Sequence, residues 1–339
     1  MRLSSICFFV VWVIFSAGAD AGEAVQLSTF THTEDPWQAA FKQNYFWGKV
    51  GVFYDSQPLA RLDQEVFPFP FTSLGRDLEG GLVRVNVDGH LYRDILEPQG
   101  LGVRARFRGR TDLYFNEDKN IDLADGVDHY TWRLDAGPTW ETDAFTAEVL
   151  LHVGQQFLGR RYLSTLTGVQ PMVTFHLAPD WDLFGGYRFQ YEWYRNLNNY
   201  ARHTGFVGSR YRLGNHLFSV SVDGGRYHDE DGFDLRSYAE AGTELNWFAK
   251  WSHGIETRIS VAYHFRDYDS YGFFKDHDEN RFNSNVTLIK HFGEFLFVEG
   301  RWDFAFNKGN WDFNGSRNPH PNWEEYYRHV VGVSVGISL

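Results

Sequence analysis

The feature that most constrains the fold is a strict two-residue alternation of apolar and polar side chains along much of the chain. At the end of the sequence the apolar set is Val331, Val333, Val335, Ile337 and Leu339, and the intervening set is Gly332, Ser334, Gly336 and Ser338. Such alternation places one set on each face of a β-strand, and ordinary strands rarely sustain it beyond about ten residues. The pattern indicates a transmembrane barrel, in which one face meets lipid and the other meets the lumen.

Fourteen strands of this kind are predicted, and merging or splitting two weak ones gives twelve or sixteen. They are residues 42–55, 78–92, 100–115, 128–140, 144–154, 161–177, 180–194, 202–213, 215–227, 236–248, 253–267, 279–291, 294–307 and 324–339. Their connections alternate between short turns and longer polar loops, the latter at 55–77, 116–128, 155–160, 195–201, 228–235, 268–278 and 308–323. The predicted fold is therefore all-β, a transmembrane antiparallel up-and-down β-barrel with short periplasmic turns and both termini in the periplasm.

The amino terminus predicts export. Residues 1–21 combine Arg2, an apolar run and a small-residue cleavage site, which is typical of a signal peptide, and the run is shorter than the roughly 20 residues that span a bilayer. The only cysteine, Cys7, lies in that run, so the mature chain has no thiol chemistry.

Residues 22–41 form a periplasmic segment with a short helix predicted over 36–41, and both a latch and a small plug are open interpretations. Residues 42–339 are predicted to form the outer-membrane β-barrel.

Composition excludes a helical membrane protein, because no later segment approaches 18 consecutive apolar residues. Aromatic residues make up 18% of the chain and cluster near strand ends, for example Trp132 with Trp140 and Trp181 with Trp193. Two aromatic girdles about 25 Å apart are expected at the two surfaces of the membrane. The alternative, a soluble sandwich with core tryptophans, does not explain polar faces on nearly every strand.

The lumen is predicted to be charged and asymmetric. If Leu101, Val103, Ala105, Phe107 and Gly109 face lipid, four guanidinium groups about 6.7 Å apart face the lumen from one strand. They belong to Arg104, Arg106, Arg108 and Arg110, and Arg84 and Arg133 on the flanking strands extend this ladder. Carboxylates are expected mostly on later strands, at Glu148, Asp223, Glu240, Glu244 and Glu256. Opposite charges would then occupy different sectors of the wall.

Pore size leaves two interpretations of these charges. Fourteen strands tilted near 40° give a backbone radius of roughly 14 Å, between filled eight-stranded barrels and open sixteen-stranded porins. An aqueous lumen would make the arginines a selectivity surface, since arginine binds carboxylate and phosphate in bidentate fashion. In a filled lumen the same residues would form structural salt bridges.

Enzymatic and metal sites are not predicted. The stretch from Gly332 to Gly336 matches the G-x-S-x-G motif, but that motif requires a strand-to-helix turn and this copy lies inside the last strand. The fourteen histidines show no H-E-x-x-H spacing. We therefore expect no catalytic residue, no metal and no cofactor, and a membrane-bound hydrolase is the least favoured hypothesis.

A family resemblance is carried by three segments of the carboxy-terminal portion. Residues 281–285, the strand 294–307 and residues 326–334 resemble the closing portion of a broad group of proteobacterial barrels, including the carboxy-terminal barrel of the surface lipoprotein assembly modifier family. The resemblance implies a fourteen-stranded barrel that moves a passenger across the outer membrane. Members of that family carry a periplasmic tetratricopeptide-repeat domain, which these 339 residues do not contain, and outer-membrane strands usually end in an aromatic residue where this one has Leu339.

The leading hypothesis is thus an outer-membrane transport or export barrel that passes an anionic solute or polysaccharide. The alternative is a structural or assembly-partner barrel with a closed lumen. Expected partners are outer-membrane lipid and lipopolysaccharide and the barrel-insertion machinery, and no nucleic acid is expected.

Overall fold

Alternating side chains generate one continuous antiparallel sheet. The computed structural model describes residues 44–56, 80–96, 99–115, 128–158, 161–194, 199–229, 237–269, 274–313, 316–317 and 325–339. The predicted signal peptide, the 22–41 segment and most of the predicted long loops lie outside these residues.

Fourteen strands make the wall. They are β1 (Tyr45–Asp55), β2 (Gly80–Leu96), β3 (Leu101–Tyr114), β4 (His129–Glu141), β5 (Phe145–Leu158), β6 (Arg161–Ala178), β7 (Trp181–Tyr194), β8 (Tyr200–Leu213), β9 (His216–Asp229), β10 (Tyr238–Trp251), β11 (Ile255–Tyr268), β12 (Phe274–Phe292), β13 (Leu296–Phe313) and β14 (Glu325–Ser338). A two-residue strand, Ser316–Arg317, pairs with the end of β13 and is left unnumbered.

Each strand pairs with its neighbours in sequence, and β1 closes the sheet by pairing with β14. The closing register runs from Trp47 opposite Ser338 to Asp55 opposite Val330. Closure removes every sheet edge, which a membrane requires because lipid cannot satisfy free backbone groups. The predicted fourteen-stranded up-and-down barrel is confirmed.

Strand lengths differ from the prediction at the end of the barrel that carries the long connections. The loop predicted at 155–160 is wrong in extent, because β5 continues to Leu158 and β6 begins at Arg161. Gln155 there still pairs with Thr165. Similarly, β13 reaches Phe313. Apolar alternation fades where a strand leaves the hydrocarbon region, whereas the hydrogen-bond ladder continues beyond it.

The opposite end carries the tight turns. Gly214 and Gly293 adopt φ angles of 57° and 72°, in the left-handed region that favours glycine. His253, in the turn Ser252–Gly254, adopts φ 64° without being glycine. Both chain ends of the barrel lie at this end, since Phe46 and Leu339 exchange backbone hydrogen bonds. Short turns and termini identify it as the periplasmic end.

The two faces of the wall have opposite chemistry. On β14 the outward side chains Val331, Val333, Val335 and Ile337 are exposed to the surroundings, as predicted, whereas Ser334 on the inward face is buried. In the described part of the chain many buried side chains are charged or polar, so the interior of the barrel is a polar core. No helix among the described residues is long and apolar enough to cross a bilayer.

Luminal glycines make room for aromatic rings on neighbouring strands. A Cβ atom added at Gly332 would collide with the ring of Phe53, and one added at Gly336 would collide with the ring of Phe297. The rings thus occupy the space that side chains at these two positions would fill. The interior is therefore packed by interlocking contacts between strands.

Candidate functional site in the barrel lumen

The predicted arginine ladder faces the lumen. Arg104, Arg106, Arg108 and Arg110 lie on the inward face of β3, and the outward Val103 is exposed. Arg108 lies directly opposite Arg133 of β4 in the sheet register. Repulsion between these like charges at so short a spacing requires carboxylates nearby.

The structure supplies those carboxylates from the same strands. Asp112 binds both Arg84 (2.7 Å) and Arg110 (2.6 Å). Asp135 binds both Arg108 (2.5 Å) and Arg133 (2.6 Å).

Two further pairs complete the set. Arg106 forms a bidentate pair with Asp88, at 3.1 and 2.7 Å. Arg104 reaches across β4 to Glu148 of β5, at 2.6 Å, passing the side-chain-free position of Gly137. We call the luminal faces of β2 to β5 with these six arginines and their carboxylates the arginine wall.

The predicted separation of charges into sectors is wrong for this wall. Asp88, Asp112 and Asp135 stand among the arginines, and the prediction placed the opposing charges mostly on later strands. A sequence signal for these partners existed, since Arg110 and Asp112, and Arg133 and Asp135, are two residues apart and so share a strand face. The pairs cancel much of the transverse field that the ladder alone would produce.

Burial accompanies the pairing. The side chains of Arg84, Arg104 and Arg110 are 2%, 2% and 3% exposed. Arg106 and Arg108 at the middle of the ladder are 12% and 19% exposed. Water therefore reaches the ladder chiefly at these two residues.

The remaining predicted carboxylates have partners outside the ladder. Glu240 of β10 binds Arg202 of β8 and Arg266 of β11, the latter at 2.5 Å. Glu244 accepts a hydrogen bond from the Asn246 amide at 2.7 Å. Glu148 alone among the predicted carboxylate sites joins the arginine wall.

Asp223 and Glu256, the other two carboxylates expected in the lumen, contact histidines. Asp223 lies 3.4 Å from the Nε2 atom of His264, across Gly242 of the intervening strand. Glu256 lies 3.2 Å from Arg258 and 3.4 Å from Nε2 of His291. Within the described residues no group of three or more His, Cys, Asp or Glu side chains is arranged to hold a metal.

The wall formed by β11 to β13 is less densely charged at mid-height. Its members there, which we call the amide wall, are Ser260, Asn283, Asn285, Arg301 and Asp303. Arg301 donates to Asp303 at 2.8 Å, and their side chains are 21% and 23% exposed. This pair is more exposed than Arg84, Arg104 and Arg110 of the arginine wall, and Asp303 also lies 3.9 Å from Arg84 at the border between the two walls.

A cluster at the loop end crosses the closing seam between β14 and β1. Arg328 donates to both oxygens of Asp55, at 3.0 and 2.5 Å, and the hydroxyl of Tyr114 donates to the same carboxylate at 3.1 Å. Lower on the seam, Lys49 binds Glu299 of β13 at 2.6 Å. Ion pairs thus brace the seam from inside.

Sequence reasoning missed an arc of luminal tyrosines near the loop end. Five rings on consecutive strands contact each other, with centroid separations between 4.8 and 5.5 Å. They are Tyr194, Tyr200, Tyr227, Tyr238 and Tyr268. The signal was one tyrosine at the same end of each strand, and the arc packs the mouth of β7 to β11 with aromatic surface.

A hydroxyl, an imidazole and a carboxylate lie in series near the periplasmic end. Thr146 Oγ1 is 3.0 Å from Nε2 of His176, and Nδ1 of His176 is 2.9 Å from Asp182. The same order of groups serves nucleophilic catalysis in hydrolases. Thr146 is buried beneath its neighbours, so the series ties β5, β6 and β7 together. The Gly332 to Gly336 motif lies wholly within β14, as predicted.

Comparisons with solved structures found similar chains at low sequence identity. The barrel is similar to OmpT of Vibrio cholerae as expressed in the outer membrane (10% identity, 87% of this chain and 97% of that one, TM-score 0.45). It is also similar to the anion-selective porin of Comamonas acidovorans (11% identity, 88% and 99%, TM-score 0.42) and to OccAB3 of Acinetobacter baumannii (8% identity, 87% and 99%, TM-score 0.43). At these identities the likeness concerns the fold alone.

No curated protein sequence matches the chain. The family model of the surface lipoprotein assembly modifiers matches residues 99–314. The match runs from the start of β3 to beyond β13, a longer stretch than the terminal segments that carry the resemblance in the sequence. This chain is therefore an outer-membrane β-barrel in contact with outer-membrane lipid, and it belongs to the surface lipoprotein assembly modifier family.

Proposed function

We propose that this barrel acts in the assembly of lipoproteins at the cell surface, with a lumen that its own ion pairs hold closed. The observation that carries the proposal is the burial of paired charges across non-adjacent strands, foremost Arg104 of β3 with Glu148 of β5. The family name supports the assembly role.

Buried pairs argue against free solute passage along the arginine wall. Removing one partner of a buried pair leaves an uncompensated charge, so a solute that displaced Asp112 or Glu148 would face a penalty of about 3–5 kcal/mol. A selective channel instead presents charges that ions reach and leave easily. The pairing supports a barrel whose interior is a structural core.

The test combines a cell assay with a conductance measurement. In cells lacking the chain, protease treatment of intact cells should reach fewer surface lipoproteins, while the total amount of each lipoprotein stays the same. The wild-type chain should restore exposure. Unchanged exposure of every lipoprotein contradicts the assembly role.

In planar bilayers the purified full chain should show no steady conductance. An Asp112→Ala variant, which releases two buried arginines, should conduct intermittently, whereas Asp143→Asn in an exposed periplasmic turn should behave as wild type. A steady ohmic current from the wild-type barrel contradicts the closed lumen.

A second candidate is passage of an anionic solute or polysaccharide past the middle of the arginine ladder. The observation that favours it is the greater exposure of Arg106 and Arg108 compared with Arg104 and Arg110. Replacing all four with serine should lower anion preference if the barrel conducts, and unchanged selectivity removes this candidate.

A further inference from the structure

Two prolines interrupt the wall on the same side of the barrel. Pro138 lies inside β4 and Pro171 inside β6. Proline has no N–H group to donate, so within a sheet it disrupts a ladder.

Both interruptions lie at the same height of the wall, on one row of paired residues that crosses β4 to β7. The pairing of β4 with β5 is continuous except between Ala136 opposite Leu151 and Thr139 opposite Glu148. The pairing of β6 with β7 lapses between Val169 opposite Phe189 and Met172 opposite Gly186.

Between these gaps β5 and β6 remain paired, with Val149 opposite Pro171. The ladder pairing of the β5–β6 hairpin is thus interrupted on both sides at the same height.

A groove of about 560 Å³ lies over this row, within the volume range of ordinary ligand pockets. Its floor is formed by Pro138, Ala147, Val149 and Pro171, and Trp140 and Tyr187 stand beside it with half-exposed rings. The floor residues point outward from the barrel, so the groove opens toward lipid.

A buried ion pair lies on the luminal face of the wall behind the groove. Glu148, which also borders it, turns inward to Arg104, and both side chains are 2% exposed. An occupant therefore lies on the outside of the wall.

The groove lies in the periplasmic half of the membrane. Pro138 is three residues from the end of β4 at Glu141, which is about 10 Å along a strand. At the rim, the indole of Trp140 donates to the backbone carbonyl of Gln99 at 3.0 Å, fixing the ring at the membrane surface. Aromatic rings at this depth mark the boundary between head groups and acyl chains.

We infer that this groove binds an acyl chain of a lipid-modified protein during its delivery. The identity of the acyl-chain donor as a lipoprotein rests on the proposed function. The position of the binding site rests on the geometry of the wall. The lining is almost entirely apolar, and the groove is continuous with the lipid-facing belt, where acyl chains are the surrounding medium. A lipoprotein that arrives from the periplasm presents its chains at this depth.

The binding test uses the full chain in nanodiscs of phosphatidylethanolamine and phosphatidylglycerol. A diacylated lipopeptide with a diazirine near the end of one acyl chain is added, irradiated, and mapped by mass spectrometry. Adducts should concentrate on Val149, Pro171 and Tyr187. An even distribution of adducts around the lipid-facing belt overturns the inference.

A variant that fills the groove tests whether the acyl chain binds at this groove. Ala147→Phe places a ring in the groove and should lower adduct yield there about tenfold, because the ring takes the volume of the chain. The matched control, Ala241→Phe on the outward face of β10, should leave the yield unchanged. Equal yields from the two variants overturn the inference, and near-wild-type unfolding in urea shows that each has folded.

Bulk lipid is the competing occupant. A phospholipid with the same diazirine is used alone and with unlabelled lipopeptide. Competition by the lipopeptide supports the inference, whereas phospholipid labelling that the lipopeptide does not reduce overturns it.

The labelling experiment and the cell assay can fail independently of each other. Reduced lipoprotein exposure in cells together with even labelling overturns the groove and leaves the proposed function. Groove labelling together with unchanged exposure overturns the proposed function and leaves an acyl-binding groove.

Discussion

The arginine wall and the amide wall line the same lumen, yet they differ in what their polar groups do. On the arginine wall, guanidinium and carboxylate groups pair within and across strands, and Arg104 with Glu148 is nearly inaccessible. On the amide wall, Arg301 and Asp303 also pair but remain about a fifth exposed. The innermost pairs of the arginine wall are therefore packed away from water, whereas the pair on the amide wall keeps access to water, as Arg108 does at the middle of the ladder.

The largest effect should follow from Asp112→Ala on the arginine wall. Asp112 is fully buried and binds two arginines, so its loss removes a carboxylate that both guanidinium groups share. We expect a loss of about 3–5 kcal/mol in the free energy of unfolding. Urea unfolding of the refolded barrel measures it, with Asp143→Asn as control, and a loss below that of Asp303→Asn would reverse the ranking of the two walls.

Replacing both partners should be milder than replacing one. Arg104→Met or Glu148→Met alone removes one partner of a buried pair, and each should destabilise by about 3 kcal/mol. The double variant puts two apolar side chains of similar volume into the same space and should be within about 1 kcal/mol of wild type. A double variant that loses the sum of the single losses would mean that the two residues act independently.

Thiol labelling tests accessibility directly. The only natural cysteine is Cys7, so single cysteines at Asn283 on the amide wall and Thr131 on the arginine wall report on their own sites. We expect a membrane-impermeant maleimide to modify Asn283→Cys about tenfold faster than Thr131→Cys, because reaction needs an exposed thiolate. Equal rates in folded protein would show that the two walls are equally accessible.

The smallest effect is expected for Asp303→Asn. Its pair with Arg301 is partly solvated and its contact with the buried Arg84 is long, at 3.9 Å, and partly solvated pairs contribute about 1 kcal/mol or less. The unfolding midpoint in urea should shift only slightly. A shift as large as that of Asp112→Ala would place the amide wall in the structural core.

Much of the architecture was predictable from local pattern. Alternation on β14 located its lipid face from Val331 to Ile337, and the sequence of short turns and long loops indicated both the strand number and the periplasmic end. These features depend only on strand geometry and turn length, which neighbouring residues determine.

The site was predictable only in part, because pairing depends on reach across strands. The ladder on β3 follows from strand geometry alone, because its four arginines are spaced two residues apart and so share one face. The pair of Arg104 with Glu148 depends on the register and curvature that bring β3 and β5 together over Gly137, and no single-strand pattern contains that information. The lipid-side groove had a readable signal, since Pro138 and Pro171 stand inside predicted strands.

The ion pair between Asp55 and Arg328 joins residues 273 positions apart in the chain. Contacts of such separation form late, because ordering the intervening chain has a large entropic cost. One edge of β1 therefore remains unpaired until β14 has been synthesised and delivered. That interval is when a foreign strand could dock on the open edge, and it defines the period in which a folding assistant would have to shield β1.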